Sequence, residues 1–422
     1  IQGDNRGVEI GAGSIFATLL NAGQINGDNI GIEVVGTNAT VTNAPAGTIV
    51  AGDFGLELDA EDTRVENAGT IAGRQIGILG IAPEQTITNS GEVSGGSIGI
   101  QMRAGDNAIS NSGTIGGAIG LLLEGGLTGT ETRVDNSGTI LGGQSALGRG
   151  VESDQQLILG SSGTIGGNIG IELRANADGS RISNSGRIEA TSRGVEVSTG
   201  ANGVTISNDG EIAGASFGVL SSGDGTILRN GGTISTPAGS GISVYLDASN
   251  QRLVNTGEIF GNRGVNVFDA AAIVNRGVIG ASVAGIEVYD SSGIVAGPPT
   301  VIDNAGTISA ARAIESFLDE VPLLFIRNSG DLIGTGAQAV YLHRANDVTL
   351  VNTGAISAAG GTAIRSESSG TDRIVNGGEI AGDVLLGAGA DLYRARGAGT
   401  VEGSVDGGAG ADTLIGGAQA DS

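Results

Sequence analysis

Asn184-Ser185-Gly186-Arg187-Ile188, then Gly194-Val195-Glu196-Val197, then Ile206-Ser207-Asn208-Asp209-Gly210-Glu211-Ile212: between residues 184 and 212 the chain states one pattern and starts it again. The anchor Asn-x-Gly-x-Ile recurs at Asn21, Asn67, Asn89, Asn111, Asn136, Asn184, Asn208, Asn230, Asn255, Asn275, Asn304, Asn328, Asn352 and Asn376. Asn43 joins with two extra residues, and Ser161 replaces Asn once. Two residues before the anchor stands an aliphatic side chain, as at Val65, Ile87, Ile109, Val134, Ile182, Ile206, Ile302, Ile326 and Ile374. That alternation has period two, which is the signature of a strand.

A second anchor, Gly-Ile/Val-x-aliphatic, follows each first one, as at Gly31-Ile32-Glu33-Val34, Gly170-Ile171-Glu172-Leu173 and Gly285-Ile286-Glu287-Val288. Ala313, Ala339 and Ala363 take the Gly position later. With the short strand after the Asn corner, each repeat holds three short strands, and strands this short need stacked partners to be stable. The expectation is an all-β right-handed parallel β-helix, a β-solenoid of about 16 coils of roughly 20–29 residues, with three short strands per coil. Its hand follows from the general preference for right-handed crossovers. At about 4.8 Å per coil it would be a rod about 75–80 Å long.

Composition agrees with a narrow aliphatic core. Glycine supplies 80 residues against 6 prolines, at a spacing far from collagen's three. Phe and Tyr total 7 and 4, and Trp is absent. There are 45 acidic and 21 basic residues, every basic one an Arg, giving a net charge of −24. Such a chain repels nucleic acid and attracts divalent cations. No apolar stretch is long enough for a transmembrane helix, and cysteine is absent, so disulfides are excluded. Residue 1 is Ile with no basic, cleavable leader after it.

The recurring Asn is assigned a structural role: a left-handed bend, plus an amide that hydrogen-bonds its equivalent one coil on. The third position of the Gly-Ile-x-Val strand points outward and is Glu at 9, 33, 57, 152, 172, 196, 287 and 315. Stacked carboxylates about 4.8 Å apart cost roughly 1 kcal/mol each in water. Arg6, Arg149, Arg193 and Arg312 begin four of these strands and can balance them. A solvated polar face is expected in preference to a cation row.

Length variation concentrates before the next Asn strand, at Asp59-Ala60-Glu61-Asp62, Gly125 to Glu131, Asp290 to Thr300 with Pro298-Pro299, and Ser316 to Phe325 with Asp319, Glu320 and Pro322. This acidic loop edge is the expected place for a glycan or other surface ligand. Tyr245, Phe268, Tyr289, Phe317 and Tyr341 lie near it, and His343, the only histidine, is expected at the surface. A polysaccharide-cleaving enzyme would need paired carboxylates in one cleft, and no pair stands out. Nucleophile elbows need a helix, and no helical period exists.

Residues 383–422 change character after the repeat domain of residues 1–382. Gly407-Gly408-Ala409-Gly410-Ala411-Asp412-Thr413-Leu414-Ile415 fits Gly-Gly-x-Gly-x-Asp-x-aliphatic-x, Gly416 to Asp421 begins another, and Gly387-Ala388-Gly389-Ala390-Asp391 is a looser precursor. This short segment resembles the RTX calcium-binding β-roll of secreted bacterial proteins; similar stretches end the β-helical passengers of autotransporters. The RTX resemblance implies calcium at Asp412, Asp421, Asp391, Gly408 and Gly410 and continuation of the solenoid. Together these readings lead to an extracellular or cell-surface structural or adhesive rod, self-associating end to end or belonging to a longer parent chain. A polysaccharide-binding or polysaccharide-degrading β-helix is the alternative.

Overall fold

The computed structural model describes residues 1–125, 130–237, 239–289, 298–318, 324–343 and 347–417. Parts of the three long variable loops, among them Asp319, Glu320 and Pro322, and also Asp421, lie outside these residues. The described chain is all strand, turn and bend, with no helix, and it divides into two compact units, Ile1–Gly214 and Ala215–Ser422. Each unit is a right-handed parallel β-helix. No helix long and apolar enough to cross a membrane occurs among the described residues.

In the first unit the second anchor stacks in register: Ile32, Leu56, Ile78, Ile100, Leu121, Val151, Ile171 and Val195 form one fully buried column. Val219, Val244, Val265, Ile286, Ile314, Val340 and Ile364 do the same in the second. The period-two pattern places alternate side chains inward, so every coil adds aliphatic surface to the same seam. The glycine opening this strand is required by close approach. A Cβ at Gly55 would lie 2.6 Å from the Gly77 carbonyl oxygen and 2.8 Å from the Ile71 Cγ2.

The second and third strands of a coil run on as one bent strand in several places, as at Thr164–Leu173, Glu258–Phe268 and Val278–Tyr289. The bend is absorbed by register irregularities, as between Gly167 and Ile169 and between Gly261 and Arg263. Three strand columns persist around the core, but the boundary between two of them is a kink.

The Asn ladder lies inside the coil. In the first unit Nδ2 of Asn43, Asn67, Asn89 and Asn111 donates to Oδ1 of Asn67, Asn89, Asn111 and Asn136 at 2.7–2.8 Å, and Asn184 donates to Asn208 at 2.8 Å. In the second, Asn230, Asn255, Asn275, Asn304, Asn328, Asn352 and Asn376 continue likewise at 2.8–2.9 Å. Each amide also meets a backbone carbonyl, as from Asn67 to Glu92 at 3.0 Å, so a buried polar side chain is satisfied along the stack. At Ser161 the ladder thins: Asn136 donates to its hydroxyl at 3.2 Å, and the Asn184 Oδ1 is buried without a partner.

The left-handed backbone expected at these asparagines occurs elsewhere. Asn38, Asp62, Glu84, Asp106 and Asn250 have φ of 57° to 60°, and each stands five residues before a ladder Asn. The ladder residue itself ends a strand, and only extended backbone aims its amide along the stack. The reversal falls on the corner before it.

Candidate functional site

The outward side of the Gly-Ile-x-Val strands is where the molecule differs from coil to coil, because the inward side is committed to the core. In the second unit Val265-Asn266-Val267-Phe268 pairs with Ile286-Glu287-Val288-Tyr289, and that with Ile314-Glu315-Ser316-Phe317. Registry therefore stacks Asn266, Glu287 and Glu315 in one outward column and Phe268, Tyr289 and Phe317 in the next.

The rings form a continuous run that is stacked from Phe268 to His343, with Tyr245 joining it from the neighbouring column, where it pairs with Asn266. Centroids of Phe217 and Tyr245 are 5.5 Å apart and those of Tyr245 and Phe268 5.1 Å. Phe268 and Tyr289 lie at 4.6 Å and 8° between planes, Tyr289 and Phe317 at 5.0 Å and 8°, and Phe317 and His343 at 4.5 Å and 11°. Coils repeat every 4.7–4.9 Å, close to the separation of stacked rings, so one ring per coil stacks without bending the backbone. Ring faces in mid-column are covered by neighbouring rings, and what they turn to solvent is edge. Tyr341 meets His343 at 3.8 Å, with the Arg312 guanidinium 4.9 Å from the Tyr341 centroid.

Beside the rings the carboxylates are paired. Arg263 Nε reaches Glu287 at 2.8 Å, Arg312 Nη1 reaches Glu315 at 2.5 Å, and His343 Nε2 lies 2.9 Å from Glu315 Oε1. The Tyr289 hydroxyl donates to Glu287 Oε2 at 2.9 Å. Burial and then the Glu287 charge push the Tyr289 phenol upward, so it stays a neutral donor at neutral pH.

The same outward face in the first unit is ionic without the ring column. Arg149 lies 2.5 Å from Glu172 and 3.4 Å from Glu152, while Arg174 lies 2.9 Å from Glu152 and 3.6 Å from Glu172. Arg6 pairs with Glu33, and Arg193 with Glu196 at 2.8 Å. Burial pushes the Glu152 carboxyl up, and Arg174 opposes the shift. Among the described residues Glu57 has no ion-pair partner; burial, then Asp59 and Glu33, raises its pKa.

The expected solvated row of glutamates is thus corrected in one respect. These side chains do point away from the core, but Glu33, Glu152, Glu287 and Glu315 are at most 7% exposed, because arginines from the same or a neighbouring coil fold over them. Stacking like charges at the coil repeat is relieved by interleaved guanidinium groups, as bidentate Arg chemistry allows.

The residues assigned to calcium by the RTX resemblance divide. Asp391 is 1% exposed; Asp412 is partly exposed and Gly408 and Gly410 are exposed; Asp421 lies outside the described residues. The Asp412 Oδ1 accepts the Asp391 amide at 3.0 Å, and the Asp391 Oδ1 accepts the Asp372 amide at 2.8 Å. One oxygen of each is therefore occupied by the backbone. Among the described residues the Oδ2 atoms of Asp391 and Asp372 are buried with no hydrogen-bond partner. An orphaned buried carboxylate oxygen suits a hard cation, so the chain's own donors fit calcium at Asp391. No three acidic, His or Cys side chains converge among the described residues, so any further ligands must be neutral oxygens.

Compared with protein families, curated proteins and solved structures, the chain matches none of them.

Phe217, the His343 stack and Asp372 are the features sequence reasoning missed. The last two were accessible through register, whereas Phe217 pairs with Ile242 and meets Tyr245 only edge-on. Phe268, Tyr289, Phe317 and His343 each follow the last core position of an aligned Gly-Ile-x-Val strand, and Asp372 stands four residues before Asn376.

Proposed function

We propose that this chain is an extracellular structural or adhesive protein of a bacterial surface, and that it meets its target through the outward face of residues 215–422. The observation that carries this reading is the run of neighbouring rings Phe217, Tyr245, Phe268, Tyr289, Phe317 and His343, in which Phe268, Tyr289 and Phe317 share one register column, flanked by paired Arg and Glu side chains. Aromatic and Arg side chains presented by a rigid sheet offer contact area at little entropic cost, which is the composition protein-binding surfaces favour. The secreted location is supported by the RTX-like C-terminal segment and the acidic, cysteine-free composition.

The test is adhesion of beads coated with the whole chain to bacterial, host-cell and abiotic surfaces. Replacing Phe268, Tyr289 and Phe317 together by Ala is expected to lower adhesion at least about tenfold, in keeping with the loss of a central aromatic cluster. Arg193→Ala in the first unit serves as the control. Undiminished adhesion of the triple variant defeats the reading. Selective binding on a glycan array, lost in the same variant, replaces it with polysaccharide binding, and depolymerisation of an acidic polysaccharide replaces it with an enzyme.

A further inference from the structure

The position four residues before each ladder residue turns inward at the corner. It is neutral along the chain until its end: Thr63, Gln85, Asn107, Thr132, Leu157, Ser180, Val204, Thr226, Gln251, Ala271, Thr300, Leu324 and Val348 occupy it, all buried. The final coils change to Asp372, Asp391 and Asp412. An uncharged side chain performs the corner's hydrogen bonding without difficulty. Asn107 Oδ1 accepts the Gln85 amide at 2.9 Å, the same bond that Asp391 makes to the Asp372 amide at 2.8 Å. Aspartate therefore adds nothing to that bond that asparagine lacks. What it adds is a second oxygen and a negative charge.

That second oxygen is the anomaly. Asp372 is fully buried and Asp391 1% exposed, and among the described residues Oδ2 of each has no hydrogen-bond partner. Two such carboxylates in successive coils are unfavourable unless something positive lies with them. Among the described residues no arginine pairs with either in the way Arg263 and Arg312 pair with the outward glutamates. Neutral oxygens gather at the same corner. The Ser366 hydroxyl acts on Asp372. A Cβ at Gly387, where φ is +89°, would lie 2.8 Å and 3.3 Å from the carbonyl oxygens of Ser366 and Ser368, and one at Gly389 would lie 2.0 Å from that of Gly370. Only glycine lets the chain at 387 and 389 pass these carbonyls so closely.

We propose that Asp372 and Asp391 together hold a hard divalent cation of the calcium class between two successive coils, one coil before the nonapeptide at Gly407. Asp372 is the ligand that the RTX-like segment does not contain. Carboxylate, hydroxyl and carbonyl oxygens are the donor set such a cation takes, and a chain with no cysteine and one histidine, whose Nε2 bonds Glu315, has little to offer a softer metal.

The whole chain, stripped with chelator and followed by thermal unfolding at pH 8, is titrated with calcium chloride and, separately, magnesium chloride, and stoichiometry is read by calorimetry. Wild type is expected to gain several degrees with calcium. Asp372→Asn keeps the Oδ1 acceptor that Val348 uses at 3.3 Å, so it retains the corner bond. It is expected to melt higher than wild type in chelator and to bind calcium at least about tenfold more weakly. Asp391→Asn is expected to lose the response as well, and Asp412→Asn to keep it. The proposal is overturned if neither metal shifts wild type, if Asp372→Asn responds as wild type does, or if Asp412→Asn alone removes the response.

Discussion

The outward face of the Gly-Ile-x-Val strands is built twice on one backbone plan, and the two versions solve the same stacking problem differently. In residues 1–214 successive glutamates would repel at the coil repeat, and the Arg149, Glu152, Glu172 and Arg174 cluster alternates the signs instead. In residues 215–422 the ion pairs remain at Arg263–Glu287 and Arg312–Glu315, but a column of rings runs beside them. The comparison teaches that a repeat of about 4.8 Å rewards identical neighbours only where those neighbours attract. Asn amides and aromatic rings attract their copies, whereas carboxylates need a partner of opposite sign between them.

The largest expected effect breaks the ionic version. Arg149→Ala removes the nearest partner of the nearly buried Glu172 and leaves Glu152 to Arg174 alone, and a loss of about 3–5 kcal/mol is expected in denaturant unfolding of the first unit. Replacing Arg149 and Glu172 together by Met is expected to recover most of it. A loss under 1 kcal/mol for the single variant would show that solvent already screens the cluster.

Next in size is the pH dependence at the corner where the second unit carries unpaired aspartates. The Asp372 carboxyl is raised in the folded chain to about 7 from its ordinary value near 3.8. The folded state thus binds its proton more tightly than the unfolded one. Stability from this group is fullest below about pH 4 and falls as pH rises to about 7, by up to a few kcal/mol. Hydrogen exchange of the coils around Asp372, measured in chelator from pH 5 to 8, should show that loss, and Asp372→Asn should flatten it.

The aromatic version is tested by Tyr289→Ala, which removes two stacked pairs at once and is expected to cost about 2–3 kcal/mol in the second unit. Tyr289→Phe keeps the stack and loses only the bond to Glu287, for about 1–2 kcal/mol. Equal losses for the two variants would mean that the hydroxyl, not the stacking, holds the column.

The smallest effect repairs the ladder. Ser161→Asn supplies the amide that the buried Asn184 Oδ1 lacks among the described residues, at a position that the other coils fill with asparagine. A gain of about 1 kcal/mol in the first unit is expected from equilibrium unfolding, and no gain would place a bound water at the vacancy.

Much of this was readable beforehand. Aligning Asn-x-Gly-x-Ile yields the coil, the inward column at Ile87, Ile109 and Val134, and the amide ladder, because each follows from repetition and period two alone. The candidate face was half readable. Tyr245, Phe268, Tyr289 and Phe317 could be placed near one edge, but their stacking depended on a registry that loop lengths do not reveal.

The sequence by itself determined the solenoid, its aliphatic seam and the existence of a polar ladder, since a local pattern repeated at every coil leaves the backbone few ways to bury it. Tertiary structure alone decided which backbone corner is left-handed, that the outward glutamates lie beneath arginines, and that two carboxylate oxygens at the Asp372–Asp391 corner have no partner. Those properties depend on the distance between side chains one coil apart, and that distance exists only after the coils stack.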